Sequence, residues 1–430
     1  MFQLFSNFMR VKDIRNKILF TLAMLVVFRI GTFIPVPGVD ADVLKWENEI
    51  SAFGVLNIFG GGALANFSIL AMGIMPYITA SIIMQLLQMD VVPKFTEWSK
   101  QGEVGRRKIA QVTRYATVVL GFIQALGMSY GFNATTGGLL IRDTSIGNYL
   151  VIALVLTAGT AFLLWMGELI TAHGIGNGIS IIIFAGIVAG IPTMINQIYA
   201  QKFENAGEQL FINILMVVIL LIIIVAIIVG VIFIQQAVRK IPIQYTKRLA
   251  GKSPIDNNSS HIPLKVNAAG VIPIIFAISF IITPPTIASF FGSNAVTNWI
   301  INNFDYSKPF GMILYVALIV AFTYFYAFVQ VNPEKMAENL KKQGGFVPGR
   351  RPGAQTQAYF TGVLYRLTFV GAIFLSVIAI LPVFFTTFMN LPTSVQIGGT
   401  SLLIVVGVAL DTMKQLESQL VKRHYKGFIK

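Results

Sequence analysis

Long apolar stretches separated by short charged segments dominate the sequence. One early stretch, residues 50–89, contains no charged side chain in its forty positions, whereas a helix that crosses a bilayer needs only about 20 residues. The stretch is too long for one span and too short for two spans with a loop. We therefore predict a short glycine-rich helix at 57–66 followed by a full span from about residue 69. Irregular backbone at membrane depth is tolerated only where protein or water surrounds it, so this segment should line an internal pathway.

The middle of this stretch recurs in the second half of the chain. The sequence GIMPYI begins at Gly73, and GVIPII begins 197 positions later at Gly270. Spans that Gly and Pro interrupt at matching places in two halves point to the working centre of a transport protein. Gly and Pro are also common in membrane helices generally, so each motif alone has an ordinary explanation, and the pair favours a functional one.

Apolar runs of spanning length predict ten transmembrane helices. They cover residues 18–36, 69–89, 112–131, 149–168, 178–197, 211–235, 267–287, 310–331, 366–388 and 398–413. Glycine-rich segments at 174–178 and 398–400 open the fifth and tenth helices, where they indicate either close backbone approach or a helix start.

Lys and Arg residues are distributed unevenly between the two sides of these spans. The segments on one side hold four, six, six, six and five of them, which is 27 of the 32 in the chain, and such an excess marks the cytoplasmic side. Both termini are therefore predicted to be cytoplasmic, in a cell membrane. With five spans per half, the second half starts on the opposite side, so the halves form an inverted repeat. The predicted fold class is an all-α polytopic membrane protein of two inverted five-helix halves around a central pore.

This topology divides the chain into four parts. They are a cytoplasmic amphipathic segment at 1–17, a first half at 18–198, a second half at 211–413 and a cytoplasmic tail at 414–430. The second half contains two long cytoplasmic loops, at 236–266 and 332–365. Both loops are rich in Lys and Arg, and the Gly/Pro-punctuated sequence GGFVPGRRPG at 344–353 indicates an ordered recognition loop.

Composition excludes several kinds of chemistry. The chain is 55% hydrophobic and 12% charged, against about a quarter charged in soluble domains. It has no cysteine and only three histidines, His173, His261 and His424, so thiol catalysis and a histidine metal centre are not expected. We predict no cofactor and no enzymatic activity. The net charge of +14 is compatible with anionic lipid, nucleic acid or an acidic protein as a partner.

Ionisable residues are scarce within the predicted spans. Transporters driven by protons or sodium keep carboxylates near the midplane, and here Glu168 and Asp411 fall at helix ends. Arg29 is the one charge well inside a span, where it faces either an aqueous interior or backbone carbonyls. Gly251-Lys252-Ser253 resembles the end of a phosphate-binding loop, but Thr246 replaces the first glycine. Uncoupled passage through a gated pathway fits better than pumping.

Two isoleucine pairs have one-turn spacing, one pair on the second predicted helix and one on the fifth. Ile74 and Ile78 share one helix face, as do Ile179 and Ile183. This spacing usually means ordinary packing. A hydrophobic constriction that excludes water and ions by dewetting is the functional alternative.

Seven long sequence segments resemble those of the SecY/Sec61 family, the central subunits of protein-conducting translocons. They are FRIGTFIPVPG at 28–38, GIMPYITASI at 73–82, GEVGRRKIAQ at 102–111, GIGNGISIIIFAGIVAG at 174–190, PLKVNAAGVIP at 263–273, NLKKQGGFVPGRRPG at 339–353 and GGTSLLIVV at 398–406. The resemblance covers essentially all ten spans and rests on the order and spacing of these strings.

The resemblance implies an hourglass pore with an apolar ring, a plug, a lateral gate and docking loops. The ring falls on Ile74, Ile78, Ile179, Ile183, Ile275 and Ile404. The plug helix falls on Asn57, Ile58, Phe59, Gly60, Gly61, Gly62, Ala63, Leu64, Ala65 and Asn66. The gate lies between helices two and three and helices seven and eight, with Thr79 and Gln85 as polar candidates. The docking residues are Arg239, Lys240, Lys247, Arg248, Arg350 and Arg351.

The implied function is a channel that passes unfolded secretory polypeptides across the membrane and releases hydrophobic segments sideways into the bilayer. Implied partners are the small subunits SecE and SecG, the SecA motor, the ribosome, precursors that carry signal peptides, and membrane lipid. Two alternatives remain at this point. They are an inverted-repeat secondary transporter for a small solute and an insertase or scaffold without a through-pore.

Overall fold

The structure, a computed structural model, describes residues 11–40, 57, 60–89, 91–204, 210–245, 261–289, 294–305, 308–389 and 393–426. Its helices are α1 (Lys12–Gly31), α2 (Met75–Leu87), α3 (Pro93–Lys100), α4 (Glu103–Thr135), α5 (Ile146–His173), α6 (Gly178–Lys202), α7 (Leu210–Gln236), α8 (Ile272–Ser289), α9 (Ala295–Asn303), α10 (Pro309–Gln330), α11 (Pro333–Lys342), α12 (Ala354–Met389) and α13 (Thr393–Lys426). Its strands are β1 (Val238–Pro242), β2 (Gln244–Tyr245), β3 (His261–Lys265) and β4 (Gly345–Phe346).

The predicted apolar runs all coincide with helices, namely α1, α2, α4 to α8, α10, α12 and α13. Within the described ranges, six of these are long and apolar enough to cross a membrane, and α2 and α8 are shorter apolar helices. The count of ten spans stays a prediction that agrees with these helices. Residues 1–10 of the predicted amphipathic segment lie outside the described residues.

Several helices start five or more residues away from the predicted span starts, and two of these differences concern glycine-containing segments. The second span begins at Met75 rather than near residue 69, because residues 60–74 form turns and Gly73 adopts a left-handed backbone with φ +56°. Pro76 in the first turn of α2 costs no intrahelical hydrogen bond. The last helix begins at Thr393, so Gly398, Gly399 and Thr400 lie inside it rather than opening it. The apolar run does not reveal this start, because the first turn of the helix, residues 393–396, is mostly polar.

The same packing pattern occurs in both halves. Helices α1, α2, α4, α5 and α6 of the first half correspond in order to α7, α8, α10, α12 and α13 of the second. In the first half α4 packs against α2 and α5, α5 against α6, and α1 against both α5 and α6. The corresponding helices of the second half make the same five contacts. Equivalent helices also meet across the middle, α2 with α8 and α6 with α13, as a two-fold repeat requires.

The start of α6 explains the glycine-rich segment before it. The side chain of Asn177 caps the helix by accepting hydrogen bonds from the backbone of Ile179 at 3.1 Å and Ser180 at 3.4 Å. A Cβ atom on Gly178 would collide with the carbonyl oxygen of Gly167 on α5. Both explanations of this segment, a helix start and a close backbone approach, therefore hold.

The two long basic loops form one folded unit, which we call the basic platform and define as β1 to β4, α11 and the start of α12. Strand β1 pairs with β3 in antiparallel register from Val238 opposite Lys265 to Pro242 opposite His261. Strand β2 pairs with β4 of the second loop. The platform has its own core, formed by Ile241, Ile243, Leu264, Ala337, Leu340, Val347 and Phe360. These strands and their shared core were not predicted.

Candidate functional site

An apolar cluster occupies the centre, where the two halves meet. All six isoleucines implied by the family resemblance belong to it. Ile74 precedes α2, Ile78 lies on α2, and Ile179 and Ile183 lie on α6, whereas Ile275 and Ile404 come from α8 and α13 of the second half. Four of them are buried, and Ile179 and Ile275 are partly buried. The structure therefore brings together side chains that are more than 300 residues apart.

A small cavity of about 10 Å³ lies within this cluster, which is room for about one water molecule. Its lining residues are Gly60, Met72, Gly73, Ile74, Met75, Ile78, Ile183 and Ile275. None of these residues carries an ionisable side chain, and two helical halves contribute to the wall. A cavity of this size is far too small to hold a polypeptide.

Residues 57–66, which we call the plug segment, approach this cavity at Gly60. Residues 60–66 form turns rather than the predicted helix, because Gly61 and Gly62 adopt left-handed backbone with φ +67° and +86°. Asn57 organises the turn: its carbonyl oxygen accepts from the Gly62 amide at 2.8 Å, and its Oδ1 accepts from the Ala65 amide at 2.9 Å. Ile58 and Phe59 lie outside the described residues.

Apolar contacts hold the plug segment inside the bundle. Ala63 is fully buried and belongs to the same cluster as the isoleucines. Leu64 is fully buried in a neighbouring cluster of the first half. A Cβ atom on Gly61 would lie 3.2 Å from the Cα of Gly186 on α6, so two glycines allow the backbones to meet closely. Gly61 therefore lies close to both Phe28 of α1 and Gly186 of α6.

Polar contacts connect the plug segment to the end of α1. Arg29 Nη1 donates to the carbonyl oxygen of Gly61 at 2.6 Å, and the guanidinium lies 4.6 Å from the ring centroid of Phe33. Asn66 Nδ2 donates to the carbonyl oxygen of Thr32 at 3.3 Å. Of the two environments predicted for Arg29, the structure shows the one with a backbone carbonyl.

A seam separates the halves where α8 packs against α2 and α4. The two predicted gate residues lie on α2 and are half-buried. Thr79 Oγ1 donates to the carbonyl oxygen of Met75 at 3.1 Å, within its own helix. Gln85 Nε2 donates to Ser81 Oγ at 3.3 Å, while its buried Oε1 has no hydrogen-bond partner among the described residues. Helix α2 thus carries a buried amide oxygen that lacks a hydrogen-bond partner in the described part of the chain, and such burial is unfavourable.

One ion pair beside these helices was not predicted. Arg114 Nε donates to Glu168 Oε1 at 2.6 Å and connects α4 to α5. The sequence placed both residues near helix ends, but their separation of 54 positions gives no periodic signal. Because both side chains are substantially exposed, we expect the pair to orient the helices more than to stabilise the fold.

The predicted docking residues lie on the basic platform, as far as the structure describes them. Arg239 and Lys240 are exposed on β1, and Arg350 and Arg351 are exposed after β4. The guanidinium of Arg350 lies 4.3 Å from the ring centroid of Tyr359. The backbone of Arg351 is fixed at both ends, since its amide donates to Gln355 Oε1 at 3.3 Å and its carbonyl oxygen accepts from Thr356 Oγ1 at 2.9 Å. Lys247 and Arg248 lie outside the described residues.

Comparison with known proteins decides the family. The family model described as SecY matches residues 68–413. The chain belongs to the SecY family. The protein translocase subunit SecY of Bacillus licheniformis is 73% identical over the full length of both chains, and that of Bacillus subtilis is 70% identical, again over both full lengths. This SecY family member is therefore a multi-pass membrane protein.

Solved structures show the same fold at low sequence identity. A structure described as that of a protein conducting channel has a TM-score of 0.63 at 18% identity, with 97% of this chain and 95% of the other covered. A second, in which the plug domain of SecY is described as stabilising the closed state, has a TM-score of 0.61 at the same identity and coverage. A third, Sec61 in a canine ribosome-channel complex, has a TM-score of 0.60, also at that identity and coverage.

Proposed function

We propose that this SecY family member is a protein-conducting channel, which passes unfolded secretory polypeptides across the cell membrane and releases hydrophobic segments sideways into the bilayer. The observation that carries the proposal is an apolar constriction at the meeting point of two helical halves, with a segment of the same chain packed into it. The name and sequence of the closely similar SecY relatives support it. No enzymatic step is needed from this subunit, since a channel subunit only has to open and close.

The six isoleucines form the pore ring in this proposal. Their side chains exclude water from a narrow passage, and dewetting of an apolar constriction blocks ions. Apolar side chains also offer no hydrogen bonds that a moving polypeptide would have to break. The ring therefore closes around a passing chain without holding it.

The plug segment adds a second barrier, and the seam supplies the sideways exit. Separation of α8 from α2 and α4 would open the bundle toward lipid, because these are contacts between halves. Gln85 favours this opening, since its buried Oε1 would gain a hydrogen-bond partner from water or from the incoming backbone. Thr79 lies one residue after the ring residue Ile78 and connects the ring to the same seam.

The basic platform is the docking surface for cytoplasmic partners. Four exposed basic residues, Arg239, Lys240, Arg350 and Arg351, suit carboxylates of the SecA motor or phosphates of ribosomal RNA. SecE and SecG are the proposed small membrane partners. The remaining Lys and Arg side chains are proposed to contact anionic lipid. The excess of Lys and Arg on one side supports cytoplasmic termini.

A single introduced cysteine tests the channel directly. The chain contains no cysteine, so Ile78→Cys would be unique. The variant is reconstituted with SecE, SecG and SecA, and a secretory precursor is stalled by a folded domain at its end. We expect crosslinking from position 78 to the precursor. Ile222→Cys is the matched control, because Ile222 on α7 is 63% exposed on the outside of the bundle.

The outcomes separate the alternatives. Crosslinking at position 78 and not at position 222 supports passage through the centre. Equal crosslinking at both, or none at position 78 while transport proceeds, overturns it. Saturable uptake of a small solute without precursor transport indicates the secondary transporter. Membrane insertion without delivery of a soluble protein indicates an insertase.

A further inference from the structure

Arg29 is an unusual residue for its place in the fold. It is an exposed residue in the last turn of α1, inside a predicted span, where ionisable side chains are rare. Its guanidinium does not make an ion pair in the described part of the chain; it binds the Gly61 carbonyl oxygen and stacks on Phe33. The hydrogen bond of the Arg29 guanidinium is therefore made to the plug segment.

The geometry of this contact depends on glycine. Gly61 has φ +67°, a backbone conformation that residues other than glycine rarely adopt. It turns the carbonyl oxygen of Gly61 to within 2.6 Å of the guanidinium, while its Cα side packs near Gly186. A hydrogen bond from a charged donor is shorter and stronger than a neutral one. Arg29 and Gly61 thus form a matched pair across 32 positions.

The residues that follow α1 continue the attachment. Thr32 accepts a hydrogen bond from the Asn66 side chain. The backbone amide of Val36 donates to Phe67 at 3.0 Å, and that of Ile69 donates to Ile34 at 2.9 Å. Residues 29–36 therefore lie alongside residues 61–69 and bind them by hydrogen bonds. Arg29 binds Gly61, which is next to the cavity-lining residue Gly60.

We infer that Arg29 is the positioning residue that retains the plug segment in the closed channel, by binding the backbone of Gly61. The inference rests on the channel function proposed above. When a polypeptide displaces the plug segment, water enters and takes over the hydrogen bonds of the guanidinium, while the stacking on Phe33 can persist. Release is then reversible, because Arg29 remains oriented toward the place to which Gly61 returns.

The first experiment measures closure. Arg29→Met removes the charge and keeps an unbranched side chain, so it should leave α1 folded. We expect the resting ion conductance of reconstituted channels to rise roughly tenfold, in line with the loss of one hydrogen bond to a charged group. Arg29→Lys keeps the charge with a single donor nitrogen and should give an intermediate rise. Arg15→Met, an exposed position on the same helix, is the control and should not leak.

The second experiment measures the position of the plug segment. Ala65→Cys places a unique thiol in it at a half-buried position. A membrane-impermeant thiol reagent should modify this cysteine several-fold faster in the Arg29→Met background than with Arg29 present. A purely structural defect would instead lower thermal stability without selective exposure of position 65.

A third arm asks whether Arg29 acts through the plug segment. In a chain that lacks residues 60–66, Arg29→Met should add no further conductance. An added leak there, or unchanged conductance and labelling in the single variant, overturns the inference. Failure of precursor transport in the unmodified protein would instead contradict the channel function, so the two failures are distinguishable.

Discussion

The two halves begin α2 and α8 in the same way but connect these helices to different preceding structures. Gly73 and Gly270 both adopt left-handed backbone, with φ +56° and +64°, and α2 and α8 each begin two residues later with a proline in the second position. Before Gly73 the chain forms the plug segment. Before Gly270 it forms β3 of the basic platform. The same glycine-proline break thus follows the proposed barrier in the first half and the proposed docking unit in the second.

The largest effect is expected at the isoleucine ring, because both halves contribute side chains to it. Ile78→Gly and Ile275→Gly should each raise resting ion conductance, and together by about tenfold or more, because each removes apolar surface from the dewetted passage. Single-channel recording in planar bilayers measures this. Ile222→Gly, the same change on the outward face of α7, should have no effect. A leak from only one of the two ring positions would show that the halves do not share the seal.

The platform can be altered without touching the ring. Arg351→Glu should reduce SecA-dependent transport of a precursor about tenfold, as loss of a charged contact at an interface does, while ion conductance stays at its resting level. Lys12→Glu, at an exposed position on α1 outside the platform, makes the same charge change as a control and should transport normally. Equal loss in both variants would indicate that only the total charge matters.

The smallest expected effect comes from the repeated glycines themselves. A Cβ atom at Gly73 would meet only Gly60 Cα at 3.8 Å, and one at Gly270 would meet nothing within 4 Å. Gly73→Ala and Gly270→Ala should therefore cost the same, about 1 to 2 kcal/mol of backbone strain each, seen as similar drops in thermal stability.

Function should nevertheless separate the two glycine variants. We expect a few-fold rise in conductance for Gly73→Ala, which follows the plug segment, and none for Gly270→Ala. Gly147→Ala near the start of α5, where φ is ordinary and space is open, is the control and should be neutral or slightly stabilising. Identical leaks in both variants would contradict the division between barrier and docking unit.

Sequence reasoning located the helices well, because a membrane span is determined mainly by the length of its apolar run. The prediction of helix starts was wrong where composition carries no information about backbone conformation. Residues 69–74 are as apolar as the helix that follows, and their turns depend on the conformation of Gly73. The plug segment was located as surplus length, yet its glycines produce turns where a helix was predicted.

The platform was missed for a different reason. Its strands have two to five residues, too short for an alternating pattern to stand out, and β2 pairs with β4 about 100 positions away. The partner of Arg29 was equally hidden, because a carbonyl oxygen is present at every residue. For the ring, the isoleucine spacing was compatible with ordinary packing, and only the family resemblance singled out Ile275 and Ile404.

The shared core of the two basic loops has a mechanical consequence. Strand β3 ends at Lys265 and α8 begins at Ile272, so six residues join the platform to the helix that closes the seam. The pairing of β2 with β4 also ties in the connection between α10 and α12. A displacement of this unit would therefore be transmitted to α8 through a short connection and to α10 and α12 through the paired strands.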